Sequence, residues 1–223
     1  RRALRIFPVY YGFLAVLSAY YFLQSKSSGA LQFFEELPLY LFYLANLSML
    51  SLGPFWSLAT EEQFYLIWPA LEKYFEKCVV YLIFFFVVIN QSFNFFRADI
   101  ASLLNMPVLL ELPILQTTFT PILLGVLFAH LLNNRDTYDK FHVFSRRLLG
   151  PLTLLLALVV LLITSPEDIS GFYRLFIQIL MVLIVSSLVI SKTNIFITFL
   201  SHPFLTEIGA ISYGVYIFHL HAI

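Results

Sequence analysis

The chain has 223 residues, 60% of them hydrophobic and 12% charged, and its 13 basic and 13 acidic side chains cancel to a net charge of zero. Ordinary soluble domains carry about 25% charged residues, so no single globule could hide this apolar surface, and a mean hydropathy of +0.86 marks an integral membrane protein. Neutrality argues against a nucleic-acid partner, which would need a clustered basic face, and one cysteine, Cys78, excludes an intrachain disulfide.

In chain order, apolar runs long enough to cross a bilayer, each needing about 20 residues, are predicted at 6–24, 79–96, 115–132, 148–164, 172–190 and 204–223. Between the first two lies a less regular region, 37–71, broken by Gly53-Pro54 and Pro69. Non-helical backbone at membrane depth survives only where it is buried in protein or lines a wet cavity, so these breaks predict a pocket. Basic residues set the orientation: Arg1, Arg2 and Arg5, then Lys73 and Lys77, then Arg135, Lys140, Arg146 and Arg147 in the longest mid-chain loop are all placed in the cytoplasm. Residues 24–36, 97–111 and 165–171 then lie outside, 37–71 makes one net crossing, and the count is seven. No internal repeat, low-complexity tract or second domain is found. The expectation is an all-α polytopic transmembrane helix bundle forming one membrane-embedded domain over 1–223. Because the chain begins with Arg1 and its last apolar run stops at Ile223, it reads as an internal piece of a longer protein.

The stretch from Gly53 to Pro69 sets Glu61, Glu62 and Gln63 inside an apolar segment. A carboxylate at mid-bilayer costs roughly 2.5 to 3.5 kcal/mol on insertion scales, so an intramembrane acid is a functional hypothesis by default. On a helix Ser57, Glu61 and Tyr65 share a stripe close to Trp68, while Glu62 points about 100° away; Glu61 is therefore expected to be the inward, working acid. It could equally be a structural acid satisfied by Trp, Tyr or Ser donors. Trp56 and Trp68 have an ordinary reading as interfacial aromatics, and Gln63 either pairs helices or contacts a ligand. Near the end, Ser212, Tyr216 and His219 fall at i, i+4 and i+7 beside Tyr213, a polar stripe expected to face inward. His219 is either a proton-handling group or a packed, satisfied histidine. His221 points elsewhere, and His130, His142 and His202 sit near loop boundaries. No metal-ligand spacing occurs, and no metal is expected.

Trp56-Ser57-Leu58-Ala59-Thr60-Glu61-Glu62-Gln63-Phe64-Tyr65 resembles the WSLSxEEQFYLxWP signature of the acyltransferase 3 family, the membrane-bound acyltransferases that include O-antigen and peptidoglycan O-acetyltransferases. Arg1-Arg2-Ala3-Leu4-Arg5-Ile6-Phe7-Pro8-Val9-Tyr10 is similar to the family's RRxxRIxPxY pattern at its third transmembrane helix, and Ile211 to His219 to its late iSYxlYLxH signature. Three ordered motifs spanning nearly the whole chain make the resemblance specific. It implies that two helices precede Arg1, that one follows Ile223, and that the family's principal catalytic histidine lies upstream. One departure stands out: where many members carry RxDxLLxG, this chain has Thr118, Phe119, Thr120 and Pro121 before Leu123-Leu124-Gly125.

The resemblance implies transfer of an acyl group, most simply acetyl from acetyl-CoA or another acyl-CoA, to a hydroxyl of a carbohydrate or glycolipid in the cell envelope. O-acetylation of polysaccharide by a multi-pass enzyme of the bacterial inner membrane is the expected setting. That chemistry needs a base for the hydroxyl proton, donors for the oxyanion and a grip on the anionic carrier. Arg2 and Arg5 lie three apart on one helical face and suit coenzyme A phosphates; charge alone favours ordinary positive-inside anchors, and the resemblance reverses that. Glu61 would orient a histidine or stabilise its imidazolium, and His219 would donate to the acyl carbonyl or relay a proton. A transporter or flippase is the alternative, with Glu61 and His219 as a proton relay and Gly53-Pro54 as a gate. A purely structural scaffold would leave Glu61 without a purpose.

Overall fold

The computed structural model of the chain describes residues 2–24, 28–48, 55–106, 114, 119–146, 149–167, 169–190 and 195–219, the backbone alone at residues 2, 3, 5, 149, 195 and 196. Among the described residues the regular structure is entirely helical, as a bilayer demands of a chain that must satisfy its backbone polar groups internally. The helices are α1 (Arg2–Leu23), α2 (Ser28–Leu41), α3 (Phe55–Tyr74), α4 (Val79–Leu103), α5 (Thr120–Leu132), α6 (Arg135–Arg146), α7 (Leu149–Thr164), α8 (Gly171–Ile190), α9 (Ile195–Leu200) and α10 (Pro203–Phe218). A short 3-10 turn, Ala45–Leu47, follows α2. The all-α membrane bundle expected from sequence is what the chain forms.

Several sequence expectations need correcting. Pro69 does not break the third helix, which runs on to Tyr74; a helix-interior proline removes one backbone bond without forcing a stop, as Pro8 in α1 and Pro38 in α2 also illustrate. Gly53-Pro54 lies outside the described residues. The expected outer loop 24–36 contains the first turns of α2. In α4 the apolar run ends at Phe96, where the backbone leaves helical geometry (φ −120°, ψ 18°), and the helix then resumes to Leu103 instead of looping. The expected loop at 135–147 is the amphipathic helix α6, whose first turn is capped by Asn134: its Oδ1 accepts from the N–H of Asp136 at 2.9 Å and Thr137 at 3.4 Å.

Three described segments are long and apolar enough to span a bilayer, Ile6–Leu23, Glu76–Leu103 and Gly171–Ile190. Helices cover parts of the other predicted runs, but α5 has 13 residues and α7 and α10 have 16 each, about 20 to 24 Å at 1.5 Å per residue against a hydrocarbon core of about 30 Å. Among the described residues three segments are thus of full crossing length, or four if the bent pair Arg135–Arg146 and Gly150–Thr164 is one span; the remaining expected runs extend into residues outside the described ones.

The chain packs as two compact units, one of 1–68, 111–114 and 207–223, the other of 69–110 and 115–206. In lipid, apolar burial does not drive helices together; close packing and hydrogen bonds do. The first unit is built accordingly on aromatic rings. Tyr10, Phe13, Phe33, Tyr40, Tyr43 and Phe55 are buried together with Leu14, Leu58, Ala59 and Ile217. Tyr10 stacks on Tyr43 at 4.3 Å and meets Phe55 edge-on at 5.3 Å, while Phe13 meets Phe218 at 4.7 Å. Each such pair adds roughly 0.5 to 1.5 kcal/mol beyond its buried area.

The second unit is held by a polar cluster. Gln91 donates to Thr120 Oγ1 at 3.0 Å, and Asn94 donates to Gln91 Oε1 and to the Gly171 carbonyl, both at 2.8 Å. The Gly171 N–H returns a bond to Asn94 Oδ1 at 2.9 Å. Gly171 starts α8 in the left-handed region, φ +57°, and an added Cβ would meet Phe95 only at an ordinary 3.7 Å. The penalty for a side chain here is thus in the backbone: Gly171→Ala is expected to lower stability by about 1 kcal/mol, read as a lower unfolding midpoint in detergent. A midpoint equal to the parent's would show that the strain is relieved locally.

Candidate functional site

The residues singled out from sequence gather in the first unit, on α1, α3 and α10. What α3 buries decides which of its polar groups face where. Phe55, Leu58 and Ala59 are packed into the aromatic core, and the helix places Glu62 and Gln63 on either side of that seam, both half-buried. Glu61 and Tyr65 are exposed, while Ser57 is half-buried. In this unit Glu62 lies nearer than Glu61 to the packed face that Phe55, Leu58 and Ala59 set. Trp56 is half-buried and its carbonyl accepts from Thr60 Oγ1 at 3.0 Å. Trp68 is buried and stacks on Phe64 at 5.2 Å, a packing role where sequence suggested an interfacial one.

Gln63 forms an amide pair with Asn46 of the 3-10 turn. Its Nε2 donates to Asn46 Oδ1 at 2.9 Å and to the Tyr43 carbonyl at 2.8 Å, while Asn46 Nδ2 donates back to Gln63 Oε1 at 2.9 Å and to Thr60 Oγ1 at 3.3 Å. Of the two readings open for Gln63, pairing of segments is the one these bonds serve. They hold Tyr43 in a left-handed backbone conformation, φ 55°, which a non-glycine residue adopts only when its surroundings compel it. The Tyr43 hydroxyl is buried without a hydrogen-bond partner.

A second polar centre was invisible to sequence reasoning. Glu36 Oε2 accepts from the Tyr40 hydroxyl and its Oε1 from Ser48 Oγ, each at 2.6 Å, and the buried Tyr10 hydroxyl donates to the Tyr40 carbonyl at 2.7 Å. The one available signal was the Glu36, Tyr40 spacing of four on a helix. Asn46 carried no signal, because its importance comes from a partner 17 residues away.

On α10 the inward side chains are Ile217, fully buried, and Tyr213, half-buried; Ser212, Tyr216 and His219 are exposed. The inward polar stripe expected there is corrected, since Ile217 joins the aromatic core and sets the rotation. Ser212 Oγ donates to the Gly209 carbonyl at 2.8 Å.

Ser57 Oγ and the Tyr216 hydroxyl nevertheless share a hydrogen bond, which links the helix of Glu61 to that of His219 at this point. The Tyr213 hydroxyl donates to the Ile6 carbonyl at 3.5 Å, tying α10 to the helix that carries Arg2 and Arg5. His219 Nδ1 lies 2.5 Å from the Tyr216 carbonyl and its ring 5.5 Å from the Tyr216 ring. An Nδ1–H donating to that carbonyl leaves Nε2 of the neutral ring with its lone pair outward. Arg2 and Arg5 sit in the first turns of α1. His221 and Thr118 lie outside the described residues. In the second unit, His130 Nε2 contacts Glu72 Oε1 at 3.2 Å near the ends of their helices, in keeping with the boundary position expected for His130.

The helices that carry the three sequence motifs thus lie in one compact unit and are linked by the Ser57–Tyr216 and Tyr213–Ile6 hydrogen bonds. The family model described as an acyltransferase domain, that of acyltransferase 3, matches residues 1–223. No curated protein and no solved structure matches the chain. The match covers every motif and gives no support to a transporter; the chain belongs to the acyltransferase 3 family and is a multi-pass membrane acyltransferase.

Proposed function

We propose that residues 1–223 form a single membrane-embedded domain that moves an acyl group, acetyl in the simplest case, from acyl-CoA on the cytoplasmic side to a hydroxyl of a cell-envelope carbohydrate or glycolipid, in a bacterial inner membrane. The observation that carries this reading is the Ser57–Tyr216 hydrogen bond, because it joins the two motifs that bear proton-handling groups. The acceptor oxygen attacks the thioester carbonyl and the C–S bond breaks. The hydroxyl proton passes through a base and ends on the coenzyme A thiolate. In this reading His219, with Nε2 outward, takes or relays that proton, and Glu61 stabilises the imidazolium. Arg2 and Arg5 grip the phosphates of the donor, and Trp56, Ser57, Gln63, Tyr65, Ser212, Tyr213 and Tyr216 shape the surrounding wall. Most of the rate would come from holding donor and acceptor in line.

The test uses membrane vesicles carrying the protein, with acetyl-CoA labelled in the acetyl group, and follows label into extracted glycans and lipids. Covalent label is expected with the parent and lost with Glu61→Gln. Arg5→Ala is expected to weaken acyl-CoA binding more than acceptor binding; equal affinity for acyl-CoA in mutant and parent would overturn the donor-site assignment. No transfer from acetyl-CoA or any other acyl-CoA by a folded protein would overturn the donor class.

A further inference from the structure

The helix α6 is unlike the other long helices among the described residues. The sequence Arg-Asp-Thr-Tyr-Asp-Lys-Phe-His-Val-Phe-Ser-Arg, 135–146, is strongly two-faced. At about 100° per residue, Thr137, Tyr138, Phe141, Phe144 and Ser145 fall on one side and the charged residues on the other. The middle of the apolar side docks on its own unit: Ser145 is fully buried and the Phe141 ring lies 4.9 Å from Phe128 of α5. Its flanks do not, for Tyr138 and Phe144 each remain 39% exposed. Val143 is the one apolar residue on the charged side, and it is exposed too.

Charge is ordered on the polar side. Lys140 lies at one border with the apolar face, Arg135 and Arg146 at the other, and Asp136 and Asp139 occupy the centre. Arg135 Nε reaches Asp139 Oδ2 only at 4.0 Å, with both side chains well exposed, a pairing of little energetic weight. Cations at the borders and acids at the crest suit a helix lying flat in a headgroup layer: long basic side chains reach phosphates beside their apolar stems, while the acids face water. The direction of the helix agrees. It is bent by 79° from the segment Gly150–Thr164, so where α7 runs into the bilayer α6 runs along its surface.

We propose that α6 is an interfacial helix that recognises anionic phospholipid headgroups, with Tyr138 and Phe144 at the acyl boundary and Lys140, Arg135 and Arg146 on the phosphates. The occupant of this face is a bilayer carrying negative charge. A soluble protein is not, because the flanking aromatics sit beside the cations instead of forming one apolar patch.

Two measurements on the whole protein test it. In a Cys78→Ser background, a fluorophore at Phe144→Cys is expected to be strongly quenched by brominated lipid in reconstituted vesicles, and one at Asp136→Cys hardly at all. Equal quenching at the two positions, or shielding of Phe144→Cys from bromolipid and aqueous quenchers alike, would overturn the proposal, the latter by placing protein over this face. In detergent carrying mixed phosphatidylglycerol and phosphatidylcholine, the parent is expected to retain phosphatidylglycerol preferentially. A basic residue at an anionic surface is worth about fivefold in affinity, so Lys140→Gln with Arg146→Gln should cut that preference roughly tenfold or more, and Asp136→Asn with Asp139→Asn should raise it or leave it unchanged. A preference insensitive to the first pair would refute the headgroup contact. Neither readout depends on acyl transfer.

Discussion

Replacing His219 with Gln is expected to lower the turnover of acyl transfer by about 100-fold or more, the usual contribution of a positioned proton-transfer group, with the affinity for acyl-CoA nearly unchanged. The reason is orientation. With Nδ1 spent on the Tyr216 carbonyl at 2.5 Å, Nε2 is the nitrogen that can accept a proton, and a glutamine amide offers no equivalent base. Tyr216→Phe separates chemistry from positioning. It keeps the backbone carbonyl that anchors His219 and removes only the hydroxyl shared with Ser57, so its loss of turnover should be smaller than that of His219→Gln. The check is single-turnover transfer from labelled acetyl-CoA, with folding followed by thermal unfolding. Parent-like turnover in a folded His219→Gln protein would assign the proton step to another group.

The second large effect concerns stability. Asn46→Leu is expected to cost about 2 kcal/mol, because it strips Gln63 of both its bonds to Asn46 and leaves buried polar atoms unpaired. Replacing both partners should cost less than the two single changes added together: with Asn46→Leu and Gln63→Leu combined, no side-chain amide is left unpaired, though the Tyr43 carbonyl loses its donor. Unfolding of the three variants and the parent in one detergent closes this cycle. Additive losses would mean that the two amides act independently despite their 2.9 Å contacts.

The fold class and family could be read from sequence because they rest on signals that are either averaged or locally patterned. Apolar runs average over many residues, and the motifs around Glu61, Arg5 and His219 occupy short windows. Rotation of each helix about its axis could not be read that way. Glu61 and Glu62 differ by one position, and which of them lies nearer the packed face is decided by where Phe55 and Ala59 find partners, among residues as distant as Tyr10 and Ile217. Hydropathy is equally blind to whether a polar stripe faces protein, lipid or a neighbouring helix, so the stripe of Ser212, Tyr216 and His219 was recognised while its direction was not. The helix over 135–146 differs from the loop expected there because its dense charge masks a periodicity that Asn134 caps into a helix. Glu36 and Asn46 were missed for the complementary reason: a lone polar residue gains meaning only from the hydroxyls and amides that tertiary structure brings to it.

Ser57 and Tyr216 are 159 residues apart, and Tyr213 and Ile6 are 207 apart. Chains are synthesised at about 5 to 20 residues per second, so roughly 8 to 30 s separate the appearance of Ser57 from that of its partner. During that interval α1 and α3 are already made, while the segment that closes their polar contacts does not yet exist. Assembly of the arrangement is therefore timed by the synthesis of α10, and membrane-insertion and quality-control factors have a defined window in which the nascent site is open.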